Sequence, residues 1–174
     1  MEINKIEIEN ISLKISRMGK LEWDVLINHQ LKKDPVPWND ITEIRNKNMA
    51  QLKQVIEKYG WPKKSVFGTK TIHWTWYIAQ HCDNDLPFQE KCLELIKELP
   101  KEEIDLYDLA HLEDRVKINQ HRPQLYGTQY VGTTEKDRKL QPVEEPKKLE
   151  QRRKEMGLDQ SFQNHHEQMI GESI

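Results

Sequence analysis

Cysteine is nearly absent from this chain, with only Cys82 and Cys92 among 174 residues. They stand ten apart, without the CxxC spacing of a redox or metal motif or the density of a disulfide-stapled scaffold, so both read as reduced thiols inside helical segments. Long apolar runs are missing as well. No stretch approaches the roughly 18 apolar residues of a membrane span, and Glu2, Lys5, Glu7 and Glu9 interrupt the first isoleucines where a signal peptide would carry its apolar centre. The expectation is a cytoplasmic chain with no membrane partner. Positive charge is not in excess either: 27 Lys and Arg meet 29 Asp and Glu, for a net charge of -2. That balance removes the attraction to phosphate backbones and makes nucleic acid an unexpected partner. No internal repeat, HExxH pattern or cofactor motif is visible, so no cofactor and no metal ligand is expected.

What is there is charge and a lean apolar set. Charged residues make up 32% and apolar residues 36% of the chain, with a mean hydropathy of -0.89, so much of the surface faces water. The length suits one domain. Trp23, Trp38, Trp61, Trp74 and Trp76 all lie in the first half, which places the expected core there.

Ile11, Ile15, Met18, Glu22, Val25, Leu26 and His29 recur at three- and four-residue steps and predict a first helix to about Gln30. Ile6, Ile8, Ile11, Leu13 and Ile15 also fit period two, so a short initial strand stands beside that reading. After Asp34-Pro35-Val36-Pro37, Asp40 and Glu43 form a capping box, residues from Trp38 to Tyr59 keep helical spacing, and Gly60 and Pro62 stop the helix. A third helix is predicted over 71–81 after a turn at Phe67-Gly68. A fourth is opened by Asn84 or Asp85 with Pro87 in its first turn, and a fifth is capped by Asp105. The helical period is lost over 119–145, where Gln124 to Val131 read as a turn or short hairpin around Gly127. A last helix starts at Pro146 and ends at Gly157. The expected fold is therefore mainly α: a single-domain irregular helical bundle with a short hairpin or ordered loop after the fifth helix. Residues 1–37 form an N-terminal helical or partly strand extension, 38–158 the helical core and 159–174 a polar tail that frays.

Three groups carry chemistry. Gln80-His81-Cys82-Asp83 ends the third helix, with Tyr77 and Trp74 one and two turns behind His81. An imidazole there is either a satisfied core histidine or an acid/base group at a cleft. His111 and Asp114 share a helix face at a spacing that suits one metal ion, but an ion pair between Asp114 and Arg122, Arg152 or Arg153 is the expected role, because a buried carboxylate needs a partner. Gln124-Leu125-Tyr126-Gly127-Thr128-Gln129 sets two amides, a phenol and a hydroxyl around a glycine, the groups of a recognition loop or of a satisfied turn.

Tyr59-Gly60-Trp61-Pro62, Gln80-His81-Cys82-Asp83, Leu112-Glu113-Asp114-Arg115, Gln124 to Gln129 and Arg152-Arg153 with Gly157-Leu158 together resemble a bacterial family of unknown function. That family is marked by Gly-Trp-Pro, Gln-His-x-Asp, Asp-Arg and Tyr-Gly-Thr-Gln motifs. The resemblance spans about 40–158. It implies that Gln80, His81, Asp83, Asp114, Arg115, Gln124, Tyr126, Gly127, Thr128 and Gln129 belong to one shared feature. Cys82 stands where the pattern prefers a small residue, and His111 lies outside it.

These residues set a functional expectation. His81 acts as general acid or base and Asp114 orients it or an arginine, while Gln80, Asp83, Arg115, Gln124, Tyr126, Thr128 and Gln129 bind a small polar ligand or peptide segment, for hydrolysis or group transfer. The rival from another class is a non-catalytic binding, immunity or adaptor protein with a protein partner, whose polar cluster staples a loop. A metal-dependent hydrolase stands third.

Overall fold

Ile11, Ile15, Met18 and Glu22 follow one another by four, three and four residues, and that spacing becomes the buried face of α1, Lys5–Lys32. The computed structural model describes residues 3–32, 34–132, 137–158 and 162. Within them the chain is mainly α, as expected, and the period-two reading of the first isoleucines is not realised, because α1 is helical from Lys5 onward. Trp38–Tyr59 forms α2, Lys64–Gln80 α3, Leu86–Lys97 α4, Leu106–Asn119 α5 and Leu149–Glu155 α6, with the strand pair Tyr130–Val131 (β1) and Lys139–Leu140 (β2) after α5. Its contacts divide into two compact units, Met1–Asp105 and Leu106–Ile174. No helix among the described residues is long and apolar enough to cross a membrane.

The first unit holds α1 to α4. Ile41, Asn48, Leu52, Val55 and Ile56 form the buried face of α2. The helix begins two residues ahead of the expected capping box, with Pro37 at the cap and no side-chain cap bond, so Asp40 sits inside the first turn. Gly60, at φ 71, ends it. The turn expected at Phe67-Gly68 is a kink inside α3: Gly68 takes φ 76 and ψ 161, a conformation that a residue with a Cβ adopts only under strain. Asp85 caps α4 by accepting from the Phe88 amide at 3.1 Å, with Pro87 in the first turn as expected. At the approach of α1 to α3, Gly19 leaves room for the Trp74 ring, which an added Cβ would meet at 2.3 Å. The tryptophans contribute less core than expected, since Trp61 and Trp76 are buried while Trp23 and Trp38 are about half exposed.

The second unit is built on α5. Ala110, Tyr126 and Leu158 form its apolar centre, with Leu125 and Met156 packed against them. β1 and β2 pair antiparallel, Tyr130 opposite Leu140 and Val131 opposite Lys139. The hairpin therefore falls after the Gly127 segment, and 124–129 is an ordered loop. A 3₁₀ turn at Pro146–Lys148 leads into α6, which Gly157 follows at φ 65. The expected frayed tail falls, apart from residue 162, outside the described residues.

Candidate functional site

The residues singled out in the sequence belong to two local networks, one in each unit. Asp114 is the centre of the second. Its side chain projects from α5 into full burial and accepts four donors: the Leu125 amide at 2.6 Å, the Tyr126 amide at 3.0 Å, the Thr128 amide at 3.0 Å and the Thr128 hydroxyl at 2.9 Å. Burial pushes its carboxyl above the ordinary carboxylate value, and the hydrogen bonds from Thr128, Leu125 and Tyr126 pull against that shift. The donors come from the loop itself where an arginine was expected. A loop that turns sharply around Gly127 leaves successive amides pointing inward, and a carboxylate satisfies them together.

The remaining partners close the loop from every side. Gln124, fully buried, accepts from the Gln129 amide at 2.8 Å and donates to the Gln129 and Gln141 carbonyls at 3.0 and 2.9 Å. Gln129 donates to the His111 carbonyl and the Thr128 hydroxyl, and Arg115 donates to Gln129 Oε1 at 3.3 Å. Arg152 donates to the Leu125 and Glu144 carbonyls and Arg153 to the Tyr126 carbonyl. Tyr126 donates to Glu113 at 3.3 Å. Thus Asp114, Arg115, Gln124, Tyr126, Thr128 and Gln129 do come together, bonded to one another, to loop backbone, to Glu113 and to the His111 carbonyl of α5.

Gln80, His81 and Asp83 lie in the first unit at the end of α3. Gln89, fully buried on α4, donates to the Ala79 and Gln80 carbonyls at 3.2 Å each and reaches Asp83 Oδ1 at 3.5 Å, so an amide side chain covers carbonyls that the helix end leaves open. His81 follows as the cap residue. Its Nδ1 lies 2.9 Å from Glu22 Oε1, and Arg45 on α2 meets the same oxygen at 2.7 Å. Glu22 Oε2, also buried, has no hydrogen-bond partner among the described residues. Burial raises the Glu22 carboxyl, but His81 and Arg45 outweigh it and hold the group below the ordinary value. Tyr77 stands edge-on to the imidazole, ring centroids 4.5 Å apart, and the same phenol ring contacts Trp23 and Trp74. The Tyr77 phenol is pushed up by burial and by the Glu22 charge.

This arrangement sets a buried carboxylate beside one ring nitrogen of a histidine. The His81 side chain is 19% exposed while Nδ1 is buried, and at 2.9 Å from Glu22 Oε1 it makes an ion-pair contact without the angle of a hydrogen bond, so the open part of the ring excludes the nitrogen facing Glu22. A carboxylate at Nδ1 favours the tautomer that leaves Nε2 free to accept a proton. Glu22 and Arg45 were missed at the level of sequence. For Glu22 the signal was present: a carboxylate in the middle of the apolar stripe of α1 is a buried charge awaiting a partner. Arg45 carried no such mark. Among the described residues no group of three or more His, Cys, Asp or Glu side chains is arranged to hold a metal ion.

Fold and networks together define a mainly α protein with a buried carboxylate anchoring a loop in one unit and a carboxylate–histidine pair in the other. The chain belongs to DUF6624, a family of unknown function whose model matches residues 32–167. Glu22 precedes the matched segment, whereas Arg45, His81 and Asp114 lie within it. No curated protein and no solved structure matches the chain.

Proposed function

We propose that the first unit carries an acid–base site for hydrolysis or group transfer on a small polar ligand or peptide segment, with His81 Nε2 as the proton-transferring atom and Glu22 as the group that orients the ring. One observation carries this reading: the buried Glu22 carboxylate at 2.9 Å from His81 Nδ1. Arg45, on the same carboxylate oxygen, favours the ionised form of Glu22. Asp114, committed to its loop, takes no part in the proton transfer. A positioned histidine of this kind supplies roughly 10²–10⁴-fold in rate.

The test is turnover of activated carboxylic esters, phosphate esters and dipeptide amides by the parent, Glu22→Gln and His81→Asn, the last of which keeps a donor near the position of Nδ1. Turnover by the parent that falls about 100-fold or more in both variants, read at a temperature where each variant is fully folded, is the expected result. Equal rates in parent and His81→Asn, or no turnover on any of the three classes, overturns the reading.

A second reading has its own support. The closed hydrogen-bonding around Asp114 is what a non-catalytic binding or adaptor protein needs to fix an irregular loop as a rigid surface, and in that case the second unit presents shape and not chemistry.

A further inference from the structure

Between α1 and α2, inside the first unit, lies a cavity of about 500 Å³. Met18 and Ile44 give it apolar lining, and Leu13 and Leu21, 49% and 54% exposed, leave it open to solvent. Its charge is of one sign. Lys14, Arg17 and Lys47 line it, and no Asp or Glu does among the described residues. That concentration is local, because the whole chain carries a net charge of -2. Lys47 holds a contact with Glu43 one turn away, both side chains about two-thirds exposed, and a pair that open is worth little and exchanges readily. Lys14 and Arg17 have no ion-pair partner among the described residues.

The spacing of the lining gives the cavity its form. Leu13, Arg17 and Leu21 follow at four-residue steps on α1, and Ile44, Lys47 and Gln51 follow at three and four on α2. The opening therefore runs along the helices for about 12 Å at the α-helical rise, two turns of a docked helix. Small-molecule pockets enclose most of their ligand. A trough with exposed leucines on a cationic edge matches instead the face of an amphipathic helix.

We propose that this trough is a docking site for an acidic amphipathic helix of a protein partner. Apolar residues of that helix at three- and four-residue spacing cover Leu13, Met18, Leu21 and Ile44, and its flanking Asp and Glu residues pair with Lys14, Arg17 and Lys47. The site is independent of the acid–base reading, since it uses neither Glu22 nor His81.

The probe is a labelled synthetic peptide of about four helical turns with a leucine face and glutamate flanks, alongside its lysine-flanked counterpart. Both are titrated into the full chain by fluorescence anisotropy, with amide chemical shifts to locate the contact. The acidic peptide is expected to bind saturably with shifts over 10–21 and 44–51. Its affinity falls about tenfold or more in Lys14→Glu and in Arg17→Glu, whose side chains sit at the rim and leave the fold intact, and it weakens in Leu13→Gln. Lack of saturable binding, equal binding of the two peptides, or affinity unmoved by the charge reversals overturns the proposal. Binding to phosphatidylserine vesicles in place of the peptide overturns it too, in favour of an anionic lipid surface.

Discussion

Glu22 and His81 meet at 2.9 Å at the end of α3, with the carboxylate side chain 1% exposed and the imidazole still partly open to solvent. Glu22 is thereby held below its ordinary value of 4.5: burial opposes the shift and the contacts with His81 and Arg45 prevail. A carboxyl depressed in the folded state contributes its full stability above about pH 4.5 and loses it as pH falls through the folded value. Glu22→Gln breaks a buried pair and is expected to cost about 3 kcal/mol at neutral pH. Urea unfolding of parent and variant along an acid series checks the sign: the gap narrows below pH 4.5, whereas a gap that stays constant removes Glu22 from the acid dependence.

Asp114→Ala strands three loop amides and the Thr128 hydroxyl without their acceptor. Each buried unsatisfied donor costs about 1–3 kcal/mol, with partial relief as the loop relaxes, so a loss of about 3 kcal/mol is expected. Hydrogen exchange should accelerate at Leu125, Tyr126 and Thr128 first. Unchanged protection at those amides would show that the loop holds itself without the carboxylate.

Gly19→Ala has an unusual sign. Replacing a mid-helix glycine by alanine ordinarily stabilises by about 1 kcal/mol, but here the new methyl meets Trp74 at 2.3 Å. Overpacking of that kind costs about 1–3 kcal/mol. Thermal melts of Gly19→Ala, Trp74→Leu and the double variant should show coupling, with the second substitution recovering part of the loss.

The two thiols are buried and free, and burial pushes Cys82 up to about 12 and raises Cys92 as well. Alkylation of the native chain by iodoacetamide in mildly alkaline buffer is expected to run at least about 100-fold slower than in denaturant. Rapid modification of either thiol in the native state contradicts the packing around α3 and α4.

Much of the fold was legible because its signals are local. Gly60 stopped α2, Asp85 capped α4 and the stripe of α1 gave its buried face, each through backbone chemistry that acts within one turn. The stripe from Trp38 to Tyr59 gave the bounds of α2, while the capping box matched by Asp40 and Glu43 is not used, because the helix starts ahead of it with Pro37 at the cap. Of the two forms expected around Gly127, a turn or a short hairpin, the chain takes the turn, because Gly127 alone does not choose between them and Asp114, distant in sequence, gathers the loop amides. Of the candidate site, the clustering of Asp114 with 124–129 followed from the motifs. The pairing of His81 with Glu22 did not, since packing α1 against α3 is a tertiary event and the only trace it leaves in the chain is a glutamate among isoleucines.

The most direct measurement is the ring-nitrogen spectrum of His81 in the ¹⁵N-histidine-labelled parent and in Glu22→Gln. Glu22 as the orienting group requires the neutral ring of the parent to carry its proton on Nδ1 and to lose that preference in the variant. A parent ring protonated on Nε2, or a tautomer that Glu22→Gln leaves unchanged, contradicts the acid–base site.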